Sequence, residues 1–414
     1  VETHRQPAHR RPRSGHGSSR NWALPGGIVA LCAAVAAAGI AYGVSRPDSP
    51  VSADSPAAAS DVPTSGPALV DVYPLNGAAN VGLDTPISLV SANGQISSVT
   101  VSGGGPMQGH SDASGRGWAA SVTTLVPNTA YVITASTIGP AGTRSQFHSS
   151  FTTVNPRTTL KATITPNAVT VGVGEPIVVK FNVPVSDKAS VQSHLSVTMS
   201  APVAGAWHWM SPTEVHYRPQ GYWPAGEKVS VDANLAGADA GNGAWGTTDY
   251  SASFTIGDSH VSTVDVGAHT MTVTDNGAVV RTVPVSTGRD KYPTMNGVHV
   301  VLGKQQDVLM DSATVGIPRS SPDGYYEHVF WDVAISTGGE YVHSAPWSVG
   351  DQGNTNVSHG CVNVAPDQAT WFFGFSQTGD VVAIVNSPRP PDPSDRSTAD
   401  WNMSWSDWLA GGAI

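Results

Sequence analysis

Cysteine is the scarcest chemistry-bearing residue in this chain, with 2 in 414 residues. That excludes a disulfide-rich scaffold and a four-cysteine zinc site. Charge is thin as well, at 13% for Asp, Glu, Lys and Arg together. Basic charge is outweighed by acidic charge outside the first 20 residues. Taking their five arginines and single acid (Glu2) from totals of 21 basic and 31 acidic residues leaves 16 and 30, a net charge of −14. So acidic a body repels phosphates, which excludes a nucleic-acid partner. The sequence also lacks the Ala, Glu, Lys and Leu richness of a helical bundle or coiled coil. It holds instead 44 glycines and 31 prolines. That composition, over a length that suits two to four domains, predicts many short strands joined by turns.

The long hydrophobic run is confined to one place. From Asn21 to Val44 the chain reads NWALPGGIVALCAAVAAAGIAYGV without a charge, close to the roughly 20 apolar residues that span a bilayer core. Residues 1–20 form a basic tail and residues 21–45 a predicted transmembrane anchor, with the tail in the cytoplasm and everything after the anchor outside. A cleaved signal peptide is the competing reading. Residues 46–67 carry prolines at 47, 50, 56, 63 and 67 and read as an extended linker.

Two similar modules are expected at 68–155 and 156–258. Val81-Gly-Leu-Asp-Thr-Pro-Ile87 returns 90 residues later as Val171-Gly-Val-Gly-Glu-Pro-Ile177. Each copy follows a Pro and an Asn (Pro74 and Asn76; Pro166 and Asn167) and precedes an apolar strand, and the modules close on Ser150-Phe-Thr-Thr153 and Ser253-Phe-Thr-Ile256. Turn signals recur roughly every ten residues, the pattern of a β-sandwich. The modules resemble bacterial immunoglobulin-like domains. Neither gathers His, Cys and carboxylates in sequence, so they read as spacers or binding platforms. Trp207, Trp209 and Trp223 are expected in a core rather than on a sugar-stacking surface.

After Asp258 the pattern changes. Residues 262–285 predict two strands joined by an Asp275-Asn276-Gly277 turn. Further strands are expected at Val298–Leu302, Val308–Met310, Phe330–Ile335, Tyr341–His343 and Val381–Val385, with a helix over 366–375 opened by Pro366. Within this span lie Tyr341-Val-His-Ser-Ala-Pro-Trp347 and Ser358-His-Gly-Cys-Val-Asn363. Cys361 is the one cysteine outside the apolar run, which holds Cys32. A lone exported thiol suggests a reactive one. A free thiol titrates near ~8.5 and needs a base or an electropositive neighbour to act as a nucleophile, and His343 and His359 are close in sequence. Gly360 leaves room for a carbonyl to approach, and backbone N–H groups at such a turn suit an oxyanion. The same residues also permit a zinc site made by His343, His359 and Cys361.

The stretch from His343 to Asn363 resembles the signature of bacterial L,D-transpeptidases, a His followed, after a loop, by Ser-His-Gly-Cys-(Val/Ile/Leu)-(Asn/Arg). It is most similar to the actinobacterial, mycobacterial type, which carries an anchor, two immunoglobulin-like domains, a catalytic domain and a Trp-rich tail. The resemblance implies a mainly β fold: two tandem immunoglobulin-like β-sandwiches, then a β-rich L,D-transpeptidase catalytic domain at 259–387 and a Trp-rich C-terminal subdomain at 388–414, behind an N-terminal transmembrane helix. It implies that Cys361 is the nucleophile, His343 the general base, and the Ser344 carbonyl the group that orients the imidazole. Gly360, Cys361 and the Tyr325 hydroxyl would form an oxyanion hole, Tyr325 being assigned by its place six residues before Trp331, next to Tyr326. Tyr325, Trp347, Ser358, His359 and Asn363 would shape the substrate pocket. It further implies no cofactor and no metal. The implied partners are peptidoglycan stem peptides, a tetrapeptide donor and a diaminopimelate amine acceptor, joined as a 3→3 cross-link with release of D-Ala. Carbapenem-type β-lactams would be inhibitors. Two alternatives stand beside this reading. A sortase-like enzyme would want a downstream arginine, and the next one is Arg389 in the Pro-rich stretch 388–396. A non-catalytic wall-binding stalk would make the sandwiches the working part. In the tail, Trp401, Trp405 and Trp408 fall at i, i+4 and i+7, one face of a short helix, and are expected to dock on the preceding domains.

Overall fold

The computed structural model describes residues 63–122 and 124–414. The basic tail, the apolar run and most of the linker lie outside the described residues. Among the described residues no helix is long and apolar enough to cross a membrane.

Short alternating strands build two β-sandwiches of matching plan. In the first, one sheet runs in space Val70–Tyr73, Ser88–Ser91, Gly117–Ala120, Gly109–Ser111, and the other Ala78–Val81, Arg144–Thr153, Ala130–Ile138, Gln95–Ser102. In the second the sheets run Ala162–Thr165, Ile177–Phe181, Glu214–Pro219, Gly205–Ser211 and Thr170–Val171, Tyr250–Ile256, Lys228–Ala233, Leu195–Met199. Both have one parallel pairing at the same place, Ala78–Val81 on Arg144–Thr153 and Thr170–Val171 on Tyr250–Ile256. Every second side chain enters the core, as period-2 pleating requires; Tyr131, Ile133 and Ala135 do so from one strand. The expected repeat is physical. Asn76 accepts from the Ser150 N–H at 2.9 Å and Asn167 from the Ser253 N–H at 3.2 Å. Asn93 and Asn182 each accept, at 2.7 Å, the N–H of the first strand's flank, at Leu69 and Lys161. Trp207, Trp209 and Trp223 lie in the second core.

From His260 a five-stranded sheet runs Ala278–Pro284, Thr270–Asp275, His260–Asp265, Val381–Val385, Gly297–Val300, and a four-stranded sheet runs Gly303–Asp311, Tyr326–Ala334, Tyr341–Ser344, Val362–Val364. Between them lies a core of mainly valines with Met271, Ile335, Phe372 and Ile384. The helix spans Pro366–Phe375, as expected, with Pro366 at its first turn, and packs against Tyr326–Ala334 and Tyr341–Ser344. The hairpin turn is present, Asn276 and Gly277 both taking positive φ. The strand before it is two strands, however. Asp265 accepts from the N–H groups of Gly267 and Ala268 and turns the chain there, and Thr270–Asp275 folds back on His260–Asp265.

The tail docks on the second sandwich. Arg218, 2% exposed, presents its guanidinium to the rings of Trp401, Trp405 and Trp408 at 4.8, 5.3 and 4.5 Å. Trp408 is fully buried and donates its indole N–H to the Ala206 carbonyl. The helix is shorter than the spacing suggested. It spans Trp405–Ala410, capped by Ser404, and Trp401 reaches the same arginine from the turn before it.

Candidate active site

The pairing of two strands gathers the chemistry. Tyr341–Ser344 runs parallel to Val362–Val364, with Val342 beside Val362, His343 beside Asn363 and Ser344 beside Val364. Alternation sends Val342, Val362 and Val364 into the core and leaves His343 and Asn363 for the opposite face. Cys361, one residue before the second strand, falls on that face with them. The loop between the strands is bolted down by its own polar groups. Asn356 accepts from the Thr287 N–H and hydroxyl and donates to the Val266 carbonyl. Ser286 and Asn363 exchange backbone hydrogen bonds at 3.0 and 2.8 Å.

Two cavities meet at Cys361. One, of about 250 Å³, is lined by Met310, Tyr325, Glu327, Val329, His343, Trp347, Val357, Ser358, His359, Cys361 and Asn363. The other, of about 460 Å³, shares Tyr325, His359 and Cys361 and adds Lys291, Tyr292, Thr314, Ile317, Glu340 and Arg389 among others. His343 is 2% exposed. Its Nδ1 donates to the Ser344 carbonyl at 3.0 Å, so Nε2 carries the lone pair. Burial, with no carboxylate to oppose it, pushes its pKa down to about 4. Burial also pushes the Cys361 thiol up to about 12, with Glu340 and Asp332 adding to the rise. The resting pair is therefore a neutral imidazole and a neutral thiol, and the Cys361 Sγ points to the Gly339 carbonyl at 3.8 Å.

Tyr325 and Tyr326 part company. The Asp311–Arg319 ion pair closes the loop before them, and Arg319 stacks on Tyr326, which is 55% exposed. Tyr325 turns into both cavities, its hydroxyl pushed up to about 12 by burial and by Cys361, so it stays a donor. His359 lies between the rings of Tyr292 and Tyr325 and accepts from Arg289 at 2.8 Å. Trp347 stands half-exposed at the rim. Ser358 is drawn into the loop itself, donating to the Cys361 carbonyl at 2.6 Å and accepting the Gly360 N–H at 3.1 Å. The Gly360 N–H is thus committed at rest. Gly360 takes φ +132, a conformation that favours glycine.

The zinc alternative finds no geometry here. Among the described residues the trio of candidate ligand atoms within 4.8 Å of one another is Asp258, His260 and Asp275, none of which lines a cavity with Cys361. Glu340, Thr294 and Arg289 went unnoticed in the sequence. A carboxylate two residues before Val342-His343 in so weakly charged a chain was the available signal for the first.

The description of an L,D-transpeptidase catalytic domain matches residues 259–384, and that of a bacterial Ig domain matches residues 78–239. L,D-transpeptidase 2 of Mycobacterium tuberculosis is 37% identical over 341 residues, 82% of this chain and 83% of that protein. The chain belongs to the L,D-transpeptidase family. It is an L,D-transpeptidase by enzyme class. L,D-transpeptidase 5 of the same species is 36% identical over 69% of this chain and 64% of its own length. A solved structure of the L,D-transpeptidase LdtMt1 in complex with imipenem is 37% identical over 56% of this chain and all of that one, with a TM-score of 0.48.

Proposed function

We propose that this L,D-transpeptidase cross-links peptidoglycan stem peptides through a thioester on Cys361. The observation that carries the reading is the His343 imidazole, buried, neutral and held by the Ser344 carbonyl so that its lone pair serves the cavity that Cys361 lines. The donor carbonyl, between the third residue and D-Ala of a tetrapeptide, meets the Cys361 sulfur as Nε2 takes the thiol proton. The Cys361 N–H and the Tyr325 hydroxyl face the developing oxyanion, and the Gly360 N–H joins if it leaves Ser358. The tetrahedral adduct collapses with expulsion of D-Ala, whose nitrogen receives the proton from His343. A diaminopimelate side-chain amine then attacks the thioester, loses its proton to His343 and displaces the thiol, giving a 3→3 cross-link. Two cavities sharing one sulfur suit this order, one for the donor and one for the acceptor. Trp347, His359 and Asn363 shape the first. A carbapenem-type β-lactam reaches the same sulfur by opening its strained ring. The anchor at 21–45 would keep the enzyme at the cell membrane with its catalytic part outside, lifted into the wall by the linker and the two sandwiches.

The test is incubation with a disaccharide-tetrapeptide, reading D-Ala release and dimer mass. Both are expected from the native chain and neither from Cys361→Ala. Product formation by the folded Cys361→Ala variant would overturn the reading.

A further inference from the structure

The sequence set Arg389 aside as part of a Pro-rich connector, yet it lines the second cavity with Cys361. Its guanidinium donates to the Glu340 carboxylate at 2.6 Å. Glu340 is 5% exposed and also accepts the Met295 N–H at 3.2 Å. It abuts the nucleophile's loop: a Cβ placed on Gly360 would lie 3.1 Å from the Glu340 Oε1. On the other side of that loop the Thr294 hydroxyl, one residue before Met295, donates to the Gly360 carbonyl at 2.7 Å. The Gly360–Cys361 peptide is therefore held by its carbonyl, and a buried carboxylate fills the side of Gly360 where a side chain would stand. Both trace to one short frame, Thr294–Met295.

The connector grips the same neighbourhood twice. Asp395 accepts from the Ser336 hydroxyl at 2.6 Å and from the N–H groups of Thr337 and Gly338 at 3.2 Å each. The turn it holds leads to Gly339, whose carbonyl faces the Cys361 sulfur, and to Glu340. Beyond the connector, the tail is fixed to the second sandwich by its tryptophans.

We propose that Glu340 and Arg389 are a positioning pair for the nucleophile, the arginine of the connector holding the buried carboxylate against Gly360 so that the Gly360–Cys361 peptide keeps its N–H turned toward the reacting carbonyl. The inference rests on Cys361 being the nucleophile. It makes the connector part of the machinery that aims the thiol. A buried carboxylate left without its arginine either takes up a proton or draws water, and in both cases it ceases to hold the glycine in place. Misplacement of reacting groups by about 1 Å is enough to cost on the order of 100-fold in rate. The carboxylate has a second effect that can be read separately. Burial pushes the Glu340 carboxyl up to about 7, and above that pH its negative charge beside Cys361 opposes thiolate formation. The titratable groups around the sulfur are Glu340, Asp332, Tyr325, Tyr341, His343 and His359, with Glu327, Lys291, Tyr292 and Arg389 on the walls of its two cavities, and those around Glu340 are Arg389, Asp395 and Cys361 itself, with Lys291 and Tyr292 on the same cavity wall.

The experiment compares the full chain with Glu340→Gln, Arg389→Ala and Arg389→Lys. Melting temperature confirms folding, imipenem acylation is followed by stopped flow with saturation analysis, and alkylation of Cys361 by iodoacetamide is followed against pH. Arg389→Ala and Glu340→Gln are expected to lower the limiting acylation rate roughly 10- to 100-fold with half-saturation changed less than about threefold, and Arg389→Lys to recover most of it. Glu340→Gln is expected to move the alkylation profile to lower pH, an effect that mere loosening does not produce. Wild-type acylation rates in both variants, or an unmoved alkylation profile in folded Glu340→Gln, overturn the proposal. Failure of the native chain to acylate would instead count against the transpeptidation reading, and the alkylation profile would still decide the pair. Should Arg389→Ala not fold, the isosteric Glu340→Gln and the Arg389→Lys variant carry the test.

Discussion

Two buried histidines set the sandwiches apart from the catalytic unit. In the second sandwich His216, 5% exposed, places Nδ1 3.0 Å from Asp400 and Nε2 2.8 Å from Glu214. Burial opposes its charge, but the two carboxylates win and raise its pKa to about 9. His343 is as deeply buried but meets only a carbonyl, and its pKa falls to about 4. One is a cation that ties the tail, through Asp400, to the sandwich. The other is a base with a free lone pair. Depth alone does not set a histidine's charge; its partners do. His299, also fully buried, spends both ring nitrogens on the Ile335 and Met295 carbonyls, whereas His343 keeps one for the cavity.

The largest effect is expected from removing the base. His343→Ala should lower the rate of acylation by roughly 100- to 10,000-fold while leaving the protein folded, as intact-protein mass spectrometry over time would show. The next is on the other side of the comparison. Asp400→Asn leaves His216 with a single carboxylate, and should cost about 3 kcal/mol of stability in chemical denaturation, with Cys361 acylated at the native rate by the variant that remains folded. A smaller effect is expected of Glu214→Gln, about 1 kcal/mol, because that carboxylate is partly solvated and shared with Lys180.

The sharpest contrast needs no substitution. In a heteronuclear NMR titration, the His216 ring should stay doubly protonated until the pH nears 9, and the His343 ring neutral until it falls near 4. The linkage has opposite signs. For His216 the folded pKa lies above the unfolded value, so its contribution to stability is complete below about 6.5 and is lost as the pH rises through 9. For His343 the folded pKa lies below it, so stability is lost as the pH falls from about 6.5 through 4. Two rings titrating together near 6.5 would erase the distinction.

Much of this was legible in the sequence, and what was not has physical reasons. The Asp-Asn-Gly turn and the Pro-opened helix were readable because turn and cap residues act locally. The repeat was readable because the same asparagines close the same loops in both sandwiches. The fold-back at Asp265 was hidden, since Val264-Asp265-Val266 keeps a strand's alternation through the turn. Tyr325 and Tyr326 were inseparable in sequence because what parts them is Arg319, which takes the outer ring. Arg389 looked like linker because its partner, Glu340, lies 49 residues away. Cys361 and His343 were singled out by their resemblance to a family signature, but the directions of their pKa shifts were not legible, as those come from burial that only the packed loop supplies.

In the proposed reaction the neutral Cys361 thiol and the neutral, buried His343 imidazole, which line one cavity, become nucleophile and base only on the approach of an electrophile. This is tested most directly by following the acylation of Cys361 by imipenem against pH in the intact chain. A single adduct is expected on the peptide containing Cys361, formed at a rate that holds steady down to about pH 5 and falls as His343 takes a proton near 4. A rate that climbs tenfold per unit up to pH 9, as for an unassisted thiol, or an adduct elsewhere than Cys361, would contradict it.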